Sequence, residues 1–77
     1  MQSDRLIRMA NQIATYFSAY PHDEAVAGIT DHLEHFWEPR MLAAIKDHVA
    51  HGGAGLNDLV PEAVRRLPPP RSNPPKP

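Results

Sequence analysis

The sequence predicts an all-α fold, a small three- to four-helix arrangement followed by a disordered, proline-rich C-terminal tail. Three observations support this prediction. Apolar side chains recur at three- and four-residue steps through most of the first 67 residues, which is the period of one helix face. No segment alternates apolar and polar residues as a strand does. Residues 68–77 contain six prolines and no large apolar side chain to offset the entropy of ordering. We therefore expect a helical domain over residues 1–67 and a tail over residues 68–77.

The first helix is expected from about Asp4 to Ala19, with Ser3 as its N-cap. Pro21 follows closely, and the residue before a proline is pushed out of the helical region. The predicted apolar face of this helix comprises Leu6, Met9, Ala10, Ile13, Ala14 and Phe17. Tyr16 and Tyr20 add a smaller aromatic patch.

The second helix is expected from about Asp23 to Trp37, with Asp23 able to cap it. Gly28 interrupts this helix at a cost of about 1 kcal/mol relative to alanine. We expect close approach of another helix to compensate for that cost, and the alternative is that the helix simply tolerates the glycine. The predicted apolar face comprises Ala25 or Val26, Ile29, Leu33 and Phe36.

The third helix is expected from Pro39 to about His51, because proline suits the first position of a helix. Gly52 can take the positive φ of a residue just past a helix end. After a glycine loop at residues 52–55, a turn at Asn57 or Asp58 begins a short fourth helix. The predicted inward residues of these two helices are Met41, Leu42, Ile45 and Val49, then Ala63, Val64 and Leu67.

Composition excludes several classes of protein. The net charge of −1 argues against a nucleic-acid binder, which carries a basic surface. No apolar run approaches the ~18 residues of a membrane span, and we expect a cytoplasmic chain. The absence of cysteine excludes disulfides and thiolate metal sites. Residues 21–38 are acidic and residues 39–77 are basic, which indicates either solvated faces or a dipolar surface that orients docking.

No residue pattern predicts a catalytic or cofactor-binding site. The glycine cluster lacks the preceding strand and the following Lys-Ser or Lys-Thr of a phosphate-binding loop. Two histidine pairs, His32 with His35 and His48 with His51, have the spacing of a helical metal clip. Exposed or helix-capping histidines are the commoner origin of such pairs, and they are our expectation here.

The stretch from Phe36 to Met41 is the best candidate for a partner contact, because tryptophan and arginine are enriched in interface hot spots. Two alternatives remain open: Phe36 belongs to the core, or Trp37 simply covers the junction of the second and third helices. The hypothesis predicts that Trp37→Ala weakens association without unfolding the chain. The predicted partner-binding residues are Phe36, Trp37, Pro39, Arg40 and Met41, with Asn11 and Gln12 as polar candidates.

Several strings carry a family resemblance: Arg8–Ile13 with Tyr16-Phe17, Ala25–Ile29, and His32-Leu33-x-x-Phe36-Trp37-x-Pro39-Arg40-Met41. With the glycine loop and the segment 59–67 they cover about residues 5–67. In combination they resemble the delta subunit of the soluble, NAD-dependent, molybdenum-containing formate dehydrogenases. The proline-rich tail lies outside the resemblance.

The resemblance implies a non-catalytic small subunit with no cofactor of its own. The complex oxidises formate and reduces NAD, and its other subunits carry bis-molybdopterin guanine dinucleotide, iron–sulfur clusters and FMN. The implied partner is the large molybdenum-containing alpha subunit, which the chain would stabilise or help to mature. The rival expectations are a transient assembly chaperone for that subunit and a small histidine-based metal-binding or regulatory protein.

Overall fold

Four helices make up the structure, a computed structural model that describes residues 2–68. They are α1 (Gln2–Phe17), α2 (His22–Phe36), α3 (Pro39–Ala50) and α4 (Leu59–Arg65). Residues 2–68 contain no strand, so the all-α prediction is confirmed. The tail predicted for residues 68–77 lies, beyond Pro68, outside the described residues. No helix in this part of the chain is long and apolar enough to cross a membrane.

The helix starts differ from the sequence prediction at two places. Helix α1 already begins at Gln2, so Ser3 lies inside the helix and is not its N-cap. Helix α2 begins at His22, directly after Pro21, so Asp23 lies in the first turn with Glu24 and does not cap. In that position the two carboxylates still favour the positive end of the helix dipole.

Helix α3 begins and ends as its sequence predicts. Glu38 is extended, with φ −70° and ψ 153°, and Pro39 occupies the first helical turn. At the other end the Gly53 N–H donates to the His48 carbonyl and the Gly52 N–H donates to the Val49 carbonyl. This pair of bonds is a Schellman motif, and it requires the positive φ of 113° found at Gly52.

The core lies where α1 and α4 meet the other helices. Helix α1 packs against α2, α3 and α4, and α4 also packs against α2 and α3, whereas the consecutive helices α2 and α3 make little contact. Thr30 links α2 to α4, since its hydroxyl lies 2.9 Å from the Ala63 carbonyl oxygen. The buried core residues are Leu6, Ala10, Ala14, Ala25, Val26, Ile29, Leu33, Trp37, Ile45, Val60, Ala63, Val64 and Leu67.

Small residues decide how α1 enters this core. Ala10 and Ala14 are completely buried, while the larger Met9 and Ile13 are only half-buried at the edge. Alanine lets neighbouring helices approach α1 closely. The longer side chains of Met9 and Ile13, each one residue before an alanine, therefore lie at the edge of the helix contact. An apolar strip therefore remains on the surface of α1.

A polar contact ties the first turn of α2 to α4. His22 Nε2 lies 2.8 Å from Glu62 Oε1, and Arg66 donates to the other carboxylate oxygen at 3.2 Å. The hydrogen bond with His22 is the main cause that lowers the pKa of Glu62 below its ordinary value. All three side chains are partly exposed, so solvent screens these interactions.

Candidate protein-binding groove

An open groove of about 470 Å³ runs along the surface between α1 and α2. Its walls are mainly apolar and aromatic, with one amide and one imidazole among them. The side chains that line it, which we call the aromatic groove, are Met9, Gln12, Ile13, Tyr16, Phe17, His32 and Trp37. An open apolar groove of this size is a typical place for a ligand or a partner segment to bind.

Trp37 closes α2 and forms part of the groove wall. Its backbone N–H donates to the Leu33 carbonyl at 3.0 Å, and its side chain is only 6% exposed. Because it belongs to the core cluster, Trp37 covers the junction after α2, which is the second of the alternatives open at the sequence level. This burial argues against the expectation that Trp37→Ala leaves the fold intact, because truncating a buried tryptophan to alanine costs about 3–5 kcal/mol.

Phe36 lies beside the aromatic groove and is 73% exposed. The expectation that it belongs to the core face of α2 is wrong, because α2 ends at Phe36 and the chain turns so that Trp37 points inward instead. The Phe36 ring stacks on the His32 ring with centroids 4.7 Å apart. A large aromatic side chain is thus held in the solvent next to the groove.

Two aromatic residues of the groove wall, Tyr16 and Phe17, form a cluster with Tyr20. Phe17 meets Tyr16 edge-on at 5.0 Å and lies 5.8 Å from Tyr20. Tyr16 is 67% exposed and Tyr20 is also exposed. The hydroxyl of Tyr16 raises the pKa of Tyr20, and the nearby Glu24 carboxylate adds a smaller effect in the same direction. Such a cluster offers apolar faces with polar tips, a composition common at protein interfaces.

Gly28 gives Phe17 its place in the groove wall. A Cβ atom at Gly28 would lie 2.4 Å from Phe17 Cε1 and 2.6 Å from Phe17 Cδ1. The ring therefore occupies the space where any other residue would carry its side chain. The close approach of another helix predicted at this glycine is confirmed.

Asn11 lies on a different side of α1, where it holds the glycine loop. Its Nδ2 donates to the Gly55 carbonyl at 2.9 Å, and its Oδ1 accepts the Asn57 N–H at 2.7 Å. Both ends of the amide are engaged within the chain, so we assign Asn11 to holding this loop. The other predicted contact residues divide into the exposed Gln12, Pro39 and Arg40 and the half-buried Met41.

Several backbone amides of the glycine loop are hydrogen-bonded within the chain. The N–H groups of Gly52, Gly53 and Leu56 donate to carbonyls of the chain, and the Asn57 N–H donates to Asn11. The His48 imidazole also donates to the Ala54 carbonyl at 2.8 Å. A phosphate cradle needs amides that are free to point at the ligand. The engagement of these four amides therefore fits a structural loop.

The remaining histidines of the two predicted pairs bond locally. His35 Nδ1 and His51 Nδ1 each lie 2.8 Å from the backbone carbonyl oxygen four residues earlier. A carbonyl oxygen can only accept, so in each ring Nδ1 carries a proton and donates it. The carbonyl and carboxylate of Asp31 raise the pKa of His35. Among the described residues, no three His, Asp or Glu side chains stand close enough to hold a metal ion.

A comparison with protein families identifies the chain's relatives. A model of the NADH-dependent formate dehydrogenase delta subunit, FdsD, matches residues 5–64. The chain belongs to this family. The resemblance drawn from the sequence strings is thereby confirmed, and the family name places the chain among the subunits of a formate dehydrogenase complex. No curated protein and no solved structure matches the chain.

The delta-subunit match includes the whole aromatic groove and Phe36, since residues 9–37 lie inside the matched segment. The sequence predicted Gln12, Phe36 and Trp37 as partner contacts. It assigned Met9, Ile13 and Phe17 to the core-facing side of α1 and not to a surface groove. The available signal was the width of the apolar stripe on α1. It comprises six core candidates plus Tyr16, which is more than the one face of about 100° that a core requires.

Proposed function

We propose that this delta-subunit family member is a non-catalytic accessory subunit that docks onto the large, molybdenum-containing catalytic subunit of a formate dehydrogenase complex. In this proposal it stabilises that subunit or assists its maturation. The observation that carries the proposal is the exposed Phe36 beside the open aromatic groove. Family membership supports the choice of complex, and the choice of the large subunit is our inference.

The energetics favour a partner at this surface. Burying a phenylalanine side chain gains roughly 1.5–3 kcal/mol, and Phe36 and Tyr16 are both left in water in the isolated chain. A stack on His32 already restricts the Phe36 ring, so docking costs it little further side-chain entropy. Pro39 and Arg40 extend the exposed surface past Trp37 and remain predicted contacts.

The proposal also assigns every cofactor of the complex to other subunits. The chain has no cysteine, the residue that iron–sulfur clusters require as ligand. In its glycine loop the amides of Gly52, Gly53 and Leu56 are bonded within the chain, as described above. Molybdenum cofactor, FMN and NAD are therefore expected on the partners of this chain.

The direct test is binding between the full chain and the purified catalytic subunit. We expect Phe36→Ala to raise the dissociation constant about 30-fold, because truncating an interface hot spot costs at least about 2 kcal/mol. Ala43→Ser, on the exposed surface of α3, is the control and should bind as the wild type does. Circular dichroism should show both variants folded. Equal binding of Phe36→Ala and the wild type would refute the docking surface.

The ratio of subunits decides between stabilisation and maturation. A permanent subunit copurifies one-to-one with active enzyme, whereas an assembly factor is present only with immature catalytic subunit that lacks its molybdenum cofactor. We expect the one-to-one ratio. Active enzyme purified without this chain, from cells in which the chain is required for activity, would instead establish the maturation role.

A further inference from the structure

The aromatic groove has a charged border on its α2 side. Glu24, Gly28 and His32 follow one another at four-residue steps, so they form one row along α2. Gly28 contacts Phe17 and His32 lines the groove, which places this row at the groove edge. Glu24 stands at the tyrosine end of the row, where its carboxylate acts on Tyr20.

Asp31 lies three residues after Gly28, which makes it a surface neighbour of this row, and its carboxylate is exposed like that of Glu24. Residues 21–38 contain no lysine or arginine, so the basic side chains of this segment are the imidazoles of His22, His32 and His35, of which His35 lies 3.2 Å from Asp31. On the α1 side the charged residues next to the groove row are basic: Arg5 lies four residues before Met9, and Arg8 lies four residues before Gln12. The groove thus has a mainly negative flank along α2.

The walls of the groove favour a helix as occupant. Met9 with Ile13 and Gln12 with Tyr16 are pairs at four-residue steps on α1, the spacing of ridges into which a third helix can pack. Strand addition is not available, because the backbone amides of both walls are bonded within their helices. From Met9 to Tyr16 the α1 wall of the groove is about 11 Å long, or two helical turns.

We infer that the aromatic groove receives an amphipathic helix of the partner, whose apolar face packs between α1 and α2 while lysine or arginine side chains on its flank face Glu24 and Asp31. The inference rests on the proposed function, which supplies the partner, and it adds the form and charge of the segment that binds.

Two matched double variants test the charge. Glu24→Gln with Asp31→Asn removes two carboxylates at the groove, and Glu34→Gln with Asp47→Asn removes two exposed carboxylates elsewhere, with the same change in net charge. Asp31 and Asp47 are closely matched, since each faces a histidine four residues later. We expect the groove variant to bind the catalytic subunit about tenfold more weakly and the control variant to bind as the wild type does.

Salt dependence gives a second readout. Wild-type affinity should fall between 50 and 300 mM NaCl, roughly the range over which the Debye length drops below 10 Å, and the groove variant should show a flatter response. Equal losses in both double variants, or no loss in either, would overturn the inference. If Phe36→Ala still weakens binding in that case, the docking proposal stands and only the charge of the occupant is wrong.

A peptide experiment tests the occupant without the catalytic subunit. The probes are two 14-residue amphipathic helices, one of leucine and lysine and one of leucine and glutamate. Trp37 is the only tryptophan and lines the groove, so its fluorescence reports binding. We expect the leucine–lysine peptide to shift the emission at concentrations at least tenfold lower than the leucine–glutamate peptide. Similar titrations, or no response to either peptide, would overturn the inference.

Discussion

Replacing Gly28 by alanine would test the contact that positions the aromatic groove. Alanine is the better helix former by about 1 kcal/mol, so the substitution would stabilise α2 if nothing opposed it. The new Cβ would, however, lie 2.4 Å from the nearest atom of the Phe17 ring. Real carbon atoms at van der Waals contact are 3.5–4.0 Å apart, so the ring must move by about 1 Å or more.

The expected free energies follow from these two opposing effects. Forcing extra volume into a packed site costs about 1–3 kcal/mol, and the propensity gain offsets about 1 kcal/mol of that. Gly28→Ala should therefore lower the free energy of unfolding by about 0–2 kcal/mol. In a Phe17→Ala background the clash is absent, and the same substitution should raise stability by about 1 kcal/mol.

The assay is a double-mutant cycle, measured by urea denaturation and followed by circular dichroism. We expect a coupling energy of about 1–3 kcal/mol between Gly28 and Phe17. A displaced Phe17 ring would also protrude into the groove, so Gly28→Ala should weaken partner binding even where its stability loss is small. Additive free energies, with Gly28→Ala stabilising in both backgrounds, would refute the assignment of this glycine to close packing.

Three further predictions concern the core, the loop and the acidic helix. Trp37→Ala should lower the free energy of unfolding by about 3–5 kcal/mol, and an unchanged thermal midpoint would contradict its place in the core. Asn11→Ala should cost about 1–3 kcal/mol in urea denaturation, because it leaves a partly buried amide without its acceptor, whereas Asn11→Asp keeps that acceptor and should cost less. Proton resonances of His35 should titrate above the ordinary pKa of 6.5, and Asp31→Asn should lower that midpoint only in part, since the backbone carbonyl is the larger cause. Because the folded pKa is the higher one, His35 adds stability below pH 6.5 that is lost as the pH rises through its folded pKa, and His35→Gln should remove this loss.

Helix positions and most of the core could be predicted from the sequence because they depend on local patterns. The three-and-four spacing located Leu6, Ile29 and Ile45, and Pro39 and Gly52 marked both ends of α3. The starts of α1 and α2 were misplaced, because capping residues were available at positions that the helices pass through. Local preference permits a cap at Ser3 or Asp23 but does not require one.

The groove could be predicted only in part because it depends on how the helices meet. Phe36 and Trp37 are neighbours whose side chains point about 100° apart, and the sequence does not say which of them faces the core. Trp37 faces the core because α2 ends at Phe36 and because another helix packs beside this end of α2. Likewise, Met9 and Ile13 have the periodicity of core residues, and only the closeness of the helices at Ala10 and Ala14 leaves them at the edge.

The bonds that Asn11 makes to the glycine loop give that loop an unusual dynamic character. Asn11 and Asn57 are separated by 46 positions, so their bond joins distant parts of the chain. Hydrogen exchange at the Asn57 amide therefore requires the loop to separate from α1, and its protection should approach that of the core amides of α1. A loop with three glycines at positive φ would ordinarily exchange quickly, but this one should open only together with the fold around it.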